Sequence, residues 1–76
     1  MDTFRDVARR ARRTYEEADV LALCEEYERL GCALYPADES LLRIVFGGPP
    51  PGWTWTRYEA GHGGHTNLRR VGGSDV

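Results

Sequence analysis

The residues most suited to chemistry lie in the glycine-rich stretch EAGHGGHTN, where His62 and His65 follow Glu59. Histidine and carboxylate side chains bind zinc, which takes three or four ligands in tetrahedral geometry. Cys24 and Cys32 offer two more ligands, but their spacing fits no metal or redox motif. Ordering a loop with three glycines around a metal costs conformational entropy. The stretch therefore predicts a turn with exposed histidines, and we expect no metal site and no cofactor.

The same residues do not form a recognisable catalytic pattern. A histidine base needs an oriented nucleophile, and the two serines, Ser40 and Ser74, stand in no catalytic motif. A chain of 76 residues has a thin core, which leaves little room for a pocket that excludes water. We therefore expect no enzymatic activity and assign no catalytic residue.

Basic residues are concentrated at the start of the chain. Residues 1–13 hold five arginines against two aspartates, and all ten basic residues of the protein are arginine. On a helix the five would project away from the apolar stripe of Phe4, Val7 and Ala11. Such a face is solvated, binds a protein, or binds phosphate, since guanidinium groups pair with carboxylates and phosphates. The candidate binding residues here are Arg5, Arg9, Arg10, Arg12 and Arg13.

Acidic residues dominate the next segment. Residues 14–30 hold six acids against one arginine, and the whole chain has a net charge of −2. This acidity argues against nucleic acid as the main partner. An acidic helix favours solubility, contact with a basic groove of a partner, or pairing with the basic helix of a second copy. A homodimer through the apolar stripe of the first helix is a further possibility. The candidate binding residues here are Glu16, Glu17, Glu25 and Glu26.

A third candidate surface is the alternating segment WTWTRYE, which places Trp53, Trp55 and Arg57 on one face of a strand. If this face meets the helices, it belongs to the core. If it is open, it is a protein-binding hot spot, because Trp, Tyr and Arg dominate such sites. Exposed aromatic rings beside arginine also stack on single-stranded bases. We include all three residues among the candidate partner-binding residues.

Two helices are expected before any strand. Apolar residues recur at helical spacing from Phe4, and again with a shifted phase from Val20 to Leu30. The stretch TYEE at 14–17 has the form of a capping box. We therefore predict helices at about 3–13 and 15–30, the second ending at Gly31. One long helix with a shifted apolar face is the alternative.

Beyond Gly31 the period changes to that of strands. We predict a short strand at 32–36, a polar turn, a central strand at 41–47, a proline-rich bend at 48–52, a strand at 53–59 and a short final strand at 66–71. The fold class is α+β, with the two helices packed on a small antiparallel sheet of three or four strands. Residues 1–76 form one small domain, and 72–76 are expected to be a flexible tail.

Residues 21–46, LALCEEYERLGCALYPADESLLRIVF, resemble the opening of the TubC-type N-terminal docking domains found on large synthases. Those domains begin with an amphipathic helix, a glycine, a strand, a polar turn and a second strand that ends in an L-R-I/V-type triplet. The resemblance implies a helix followed by a hairpin, and a docking function. The matching positions are Leu23, Leu30, Gly31, Leu34, Leu42, Arg43 and Ile44.

The function expected from these features is binding without catalysis. The N-terminus is charged from its second residue and no run is long enough to span a membrane, so we expect a cytoplasmic protein with free thiols. The hypothesis is a small inhibitor or adaptor that docks on a larger protein or protein–nucleic acid assembly. Its concrete version is a phage-borne inhibitor similar to the anti-CRISPR proteins. The alternatives are a TubC-type docking domain, and a nucleic-acid-binding accessory protein that uses the arginine helix and the Trp strand.

Overall fold

The computed structural model describes residues 3–58 and 64–71. It contains five elements, which are α1 (Phe4–Thr14), α2 (Glu17–Leu30), α3 (Pro36–Phe46), β1 (Trp53–Tyr58) and β2 (His65–Arg70). The predicted α+β class is confirmed. The predicted count is wrong, because the described residues form three helices and one two-stranded sheet. Residues 72–76, the predicted tail, lie outside the described residues.

Helix α1 begins with a capping box, one that the sequence analysis did not identify. The Thr3 hydroxyl accepts a hydrogen bond from the Asp6 N–H at 3.2 Å, and the Asp6 carboxylate accepts one from the Thr3 N–H at 3.3 Å. These contacts satisfy donors that the first helical turn leaves open. The Thr3 N–H bond is the main cause that lowers the pKa of Asp6 below its ordinary value. The first helix is therefore fixed at its start by its own side chains.

A left-handed residue separates α1 from α2, which confirms the prediction of two helices over one long helix. Tyr15 has φ 57°, and its N–H donates to the Ala11 carbonyl oxygen at 3.0 Å. The predicted capping box at 14–17 is wrong, because Thr14 is still helical and Glu16 is the N-cap of α2. The Thr14 hydroxyl instead accepts from the Glu16 N–H at 3.2 Å and donates to Asp19 at 2.7 Å. These contacts stabilise the bend between the helices.

The two helices bury their apolar stripes against each other. Ala8 and Ala11 of α1 and Val20 and Leu23 of α2 are among the buried residues of the core. Ala8 and Ala11 of the α1 stripe are therefore covered within the chain, whereas Phe4 and Val7 are only partly buried. Helix α2 ends as predicted at Gly31, whose φ of 69° is the left-handed conformation that glycine adopts without strain.

The strands predicted at 32–36 and 41–47 are wrong, because residues 32–35 are in neither a helix nor a strand and residues Pro36–Phe46 form α3. Proline suits the first turn of a helix, where its missing N–H costs nothing. Asp38 and Glu39 add acidic groups at the positive end of the helix dipole. The L-R-I triplet of the resemblance is thus helical, and the described chain has no hairpin within residues 21–46.

The hairpin lies later in the chain, where β1 pairs antiparallel with β2. The final strand predicted at 66–71 is confirmed, shifted to His65–Arg70. The Leu34 N–H donates to the Thr66 carbonyl oxygen at 2.8 Å and so ties the segment before α3 to β2. One core joins all five elements, and its buried apolar members are Ala8, Ala11, Val20, Leu23, Cys24, Tyr27, Leu34, Leu41, Leu42, Trp53 and Leu68.

Among the described helices, none is long and apolar enough to cross a membrane.

Candidate protein-binding groove

A groove with a volume of about 720 Å³ runs along the exposed side of α1. Its floor is apolar, because it contains Ala8 and two aromatic rings. Its walls are cationic, because four of the five predicted arginines of α1 line it. The lining residues are Phe4, Arg5, Ala8, Arg9, Arg12, Arg13 and Tyr35.

Arg12 is bound to a buried carboxylate beneath the groove. Its Nε donates to Oδ1 of Asp38 at 2.7 Å, and its second guanidinium nitrogen donates to Oδ2 at 2.7 Å. Asp38 is fully buried and also accepts a hydrogen bond from the Tyr27 hydroxyl. The bond to Asp38 raises the pKa of Arg12 above its ordinary value. Burial, followed by the bond to Asp38, raises the pKa of Tyr27, so this hydroxyl remains protonated.

Tyr35 is an exposed ring that this network holds in place. Its backbone N–H donates to the Tyr27 hydroxyl oxygen at 3.2 Å, and its ring meets Phe4 edge-on at 6.3 Å between centroids. The next residue, Pro36, restricts the backbone of Tyr35 further. Its side chain is nevertheless 57% exposed. An exposed aromatic ring with a fixed backbone is suited to binding, because little of its freedom remains to be lost.

Arg5, Arg9 and Arg13 have weaker attachments than Arg12. Arg9 lies 3.9 Å from Asp6, an exposed pair one turn apart. Within residues 3–58 and 64–71, neither Arg5 nor Arg13 forms an ion pair. Arg10 borders a small depression of about 210 Å³ beside the groove. The structure thus brings the predicted basic residues to one side of α1 but binds Arg12 to the core.

The predicted acidic residues do not share one surface role. Glu16 and Glu17 are exposed, and Glu26 pairs with Arg29 on the same helix. Glu25 is also exposed, but its carboxylate lies 4.0 Å from the guanidinium of Arg70. Neighbouring acidic positions of α2 are occupied within the chain, since Arg70 of β2 donates to Glu28 at 2.9 Å. Part of the acidic face of α2 therefore holds the hairpin against the helices.

The tryptophan face of β1 belongs to the core, which is the first of the two alternatives for it. Trp53 is 7% exposed, and the Arg70 guanidinium lies 4.3 Å from its ring centroid. Trp55 is half-buried, with Arg43 at 5.1 Å from its ring. The ring of Trp53 therefore leaves little surface for a partner to contact.

The third member of that face, Arg57, is engaged inside the chain. One of its nitrogens donates to the Glu39 carboxylate at 3.3 Å and to the Thr66 hydroxyl at 3.2 Å. The Glu39 carboxylate also accepts from Arg43 at 2.9 Å and from Thr66 at 2.9 Å. These contacts join α3 to both strands, and they support a structural role for Arg57.

The histidine stretch is only partly described, because Glu59 and His62 lie outside the described residues. His65 stacks on Tyr58 with the ring centroids 5.1 Å apart. Cys24 is a buried thiol and Cys32 an exposed one, and neither is in a disulfide. Burial raises the pKa of the Cys24 thiol to about 12, which makes it a poor nucleophile. No three His, Cys, Asp or Glu side chains of the described part of the chain lie where they could hold a metal ion.

Sequence reasoning missed two residues that shape the groove. Tyr35 was assigned to a strand and Asp38 to a polar turn, and neither was a candidate. The pattern Tyr-Pro-Ala-Asp-Glu, with proline at the first helical position and two acids in the first turn, marks the start of a helix. It would have placed Tyr35 at the N-cap. No local signal pairs Arg12 with Asp38, because the two are 26 residues apart.

No protein-family model, curated protein or solved structure matches this chain.

Proposed function

We propose that this chain is a non-catalytic protein-binding module, a small inhibitor or adaptor that docks on a larger protein complex through the groove along α1. The observation that carries the proposal is a cationic groove with an apolar floor. The floor is fixed by Phe4, Tyr27 and Tyr35, whose rings meet edge to face. Rings and arginines are the side chains that dominate protein-binding hot spots.

A protein partner is favoured over a nucleic acid for two reasons. The net charge of −2 and the acidic α2 beside α1 oppose a long polyanion. Of the two tryptophans that would stack on bases, Trp53 is in the core under Arg70, and Trp55 is half-buried beside Arg43. A nucleic-acid accessory protein would therefore lack one of the two surfaces on which that hypothesis depended.

The phage-borne inhibitor similar to anti-CRISPR proteins is the concrete version of this proposal. Its support is the small size of the chain and the exposed acids of α2, such as Glu17 and Glu25, which suit a basic channel of a target.

Photo-crosslinking tests the proposal. Tyr35 is replaced by p-benzoylphenylalanine, and cells of the source organism that express the variant are irradiated. We expect an adduct of higher mass that is resistant to nuclease. The matched control carries the same group at Tyr58, which is similarly exposed (49% against 57%) but lies on the hairpin.

The adduct should disappear when Arg5, Arg9 and Arg13 are all replaced by Gln, because the groove has then lost the three lining arginines that are not bound to Asp38. A nuclease-sensitive adduct, equal adducts at Tyr35 and Tyr58, or no adduct at Tyr35 would each refute docking of a protein at this groove.

A further inference from the structure

We infer that the groove recognises an acidic segment of a partner protein that carries one aromatic side chain, with carboxylates on Arg5, Arg9 and Arg13 and the ring on Tyr35. This inference rests on the proposed function and names the chemistry of the partner.

The charges available to a ligand form a row. Arg5, Arg9 and Arg13 are spaced four residues apart on α1, so their Cα atoms follow one side of the helix at intervals of about 6 Å. Arg12 is not part of this row, because two of its guanidinium nitrogens already donate to the Asp38 carboxylate. The ligand therefore meets three separate cations along roughly 12 Å of helix.

A row of separate cations favours several carboxylates over one phosphate. A phosphate site gathers several donors at one point, often at the N-terminus of a helix. The N-terminus of α1 is already occupied, since Thr3 and Asp6 cap it through their own side chains. Each guanidinium of the row can instead take one carboxylate, and Arg suits this pairing by its planar fork.

The apolar floor requires more than charge in the ligand. Tyr35 is the most exposed aromatic ring among the large hydrophobic residues described, and the half-buried Phe4 continues its surface along the groove. A segment made only of glutamate has no apolar side chain to pack on this floor, so the floor would stay in contact with water. An aromatic side chain of the partner packs on Tyr35 edge-to-face and removes that water. The buried Tyr27–Asp38 hydrogen bond holds the Tyr35 backbone where the ring must be.

The test uses fluorescence anisotropy at physiological ionic strength with the full chain. The probe is a fluorescein-labelled peptide of glutamate and leucine residues around one tryptophan. Two matched peptides carry Gln for every Glu, or Ala for the tryptophan, and an oligothymidylate of equal charge is the nucleic-acid probe. We expect the first peptide to bind most tightly, with about a tenfold loss for either replacement.

The protein variants follow the same logic. Changing Arg5, Arg9 and Arg13 together to Gln should lower the affinity for the probe peptide about tenfold. Tyr35→Ala should lower this affinity about tenfold or more. Arg69→Gln and Tyr58→Ala, two exposed positions on the hairpin, should leave the affinity unchanged. Circular dichroism of each variant checks that the helices are retained.

Several results overturn the inference. They are equal binding of the Gln peptide, tighter binding of the oligothymidylate, or an equal loss in the hairpin variants. If Tyr35 crosslinks a partner protein while the probe peptide fails to bind, the inference falls and the proposed function stands. If the crosslink at Tyr35 also fails, both fall.

Discussion

At the scale of single residues, the buried carboxylate of Asp38 is the position on which the groove depends most. A buried charge is stable only when it is paired and hydrogen-bonded. Arg12 and Tyr27 supply those contacts, and Arg12 reaches Asp38 from a side chain that is itself 42% exposed. The same contact therefore belongs to the core on one side and to the groove on the other.

Arg12→Met should destabilise the fold by about 2–3 kcal/mol, because it leaves a buried carboxylate without its cation. We place the value below that of a fully buried pair because solvent reaches the guanidinium. Urea unfolding measures the change, and Arg13→Met, an exposed neighbour on the same helix, is the control, with an expected change within about 0.5 kcal/mol. Adding Asp38→Leu to Arg12→Met should restore part of the loss, because it removes the unpaired charge but leaves the Tyr27 hydroxyl without its acceptor. A double variant as unstable as the single one contradicts the interpretation.

Glu39 gives the fold a predictable pH dependence. The hydrogen bond from Arg43 is the main cause that lowers the pKa of Glu39 below its ordinary value of 4.5. A carboxylate whose pKa is lower in the folded state than in the unfolded state stabilises the fold. The stabilisation is complete when the pH is above the unfolded-state pKa, and it is lost as the pH falls through the folded-state pKa. We expect Glu39→Gln to cost about 1 kcal/mol at neutral pH.

That cost should shrink as the pH falls below 4.5, because the wild-type carboxylate then also becomes neutral. Urea unfolding of both proteins at pH 7 and at pH 3 measures it. A difference that is the same at both pH values would show that the charge of Glu39 is not what stabilises the contact.

At the scale of elements, the sequence predicted the structure correctly where a residue or a pattern is compatible with only one conformation. Gly31 marked the end of α2, the break near residue 15 was indicated by the shifted apolar phase, and alternation predicted β1. The segment at 41–47 fits both periods. Leu42, Ile44 and Phe46 alternate as in a strand, while Leu41, Leu42, Val45 and Phe46 repeat as in a helix. Packing decides such a segment, and it selects the helix.

Matched truncations distinguish the two readings of α3. In the helix, Leu41 is buried and Ile44 is 65% exposed, whereas the predicted strand placed Ile44 on one face with Leu42 and Phe46. We expect Leu41→Ala to cost about 2–3 kcal/mol because it leaves a cavity. Ile44→Ala should be neutral or slightly stabilising, since alanine is the better helix former. Urea unfolding followed by ellipticity provides both values, and a larger cost at Ile44 would contradict the helix.

The same distinction between local and long-range information applies to the groove. The five arginines were visible as a face because helical spacing alone assembles them. Tyr35 and Asp38 were not, because each acquires its role from contacts with α1 and α2 that no local pattern contains. Trp53 shows the converse, since its type suggests a binding surface and only the packing of the hairpin on the helices assigns it to the core.

At the scale of the whole molecule, the hairpin and the helices hold each other in place. A two-stranded hairpin alone is at best marginally stable in water. Here β2 is bound to α2 through Arg70 and Glu28, and the bond between them lowers the pKa of Glu28. On the other side, Thr66 of β2 donates to Glu39 of α3. The hairpin therefore has no independent route to stability, and its unfolding should be that of the entire chain.

This coupling predicts a single unfolding transition seen by two probes. Both tryptophans lie in β1, so their fluorescence reports the hairpin, while the ellipticity near 222 nm reports the helices. We expect the two urea curves to coincide, which is the test of two-state behaviour. Leu68→Ala, a buried position on β2, should shift both curves equally and cost about 2 kcal/mol, whereas its exposed neighbour Arg69→Ala should shift neither. If the fluorescence midpoint lies at a lower urea concentration than the ellipticity midpoint, the hairpin unfolds before the helices. That result would show that the contacts of Arg70 and Thr66 are too weak to couple the hairpin to the helices.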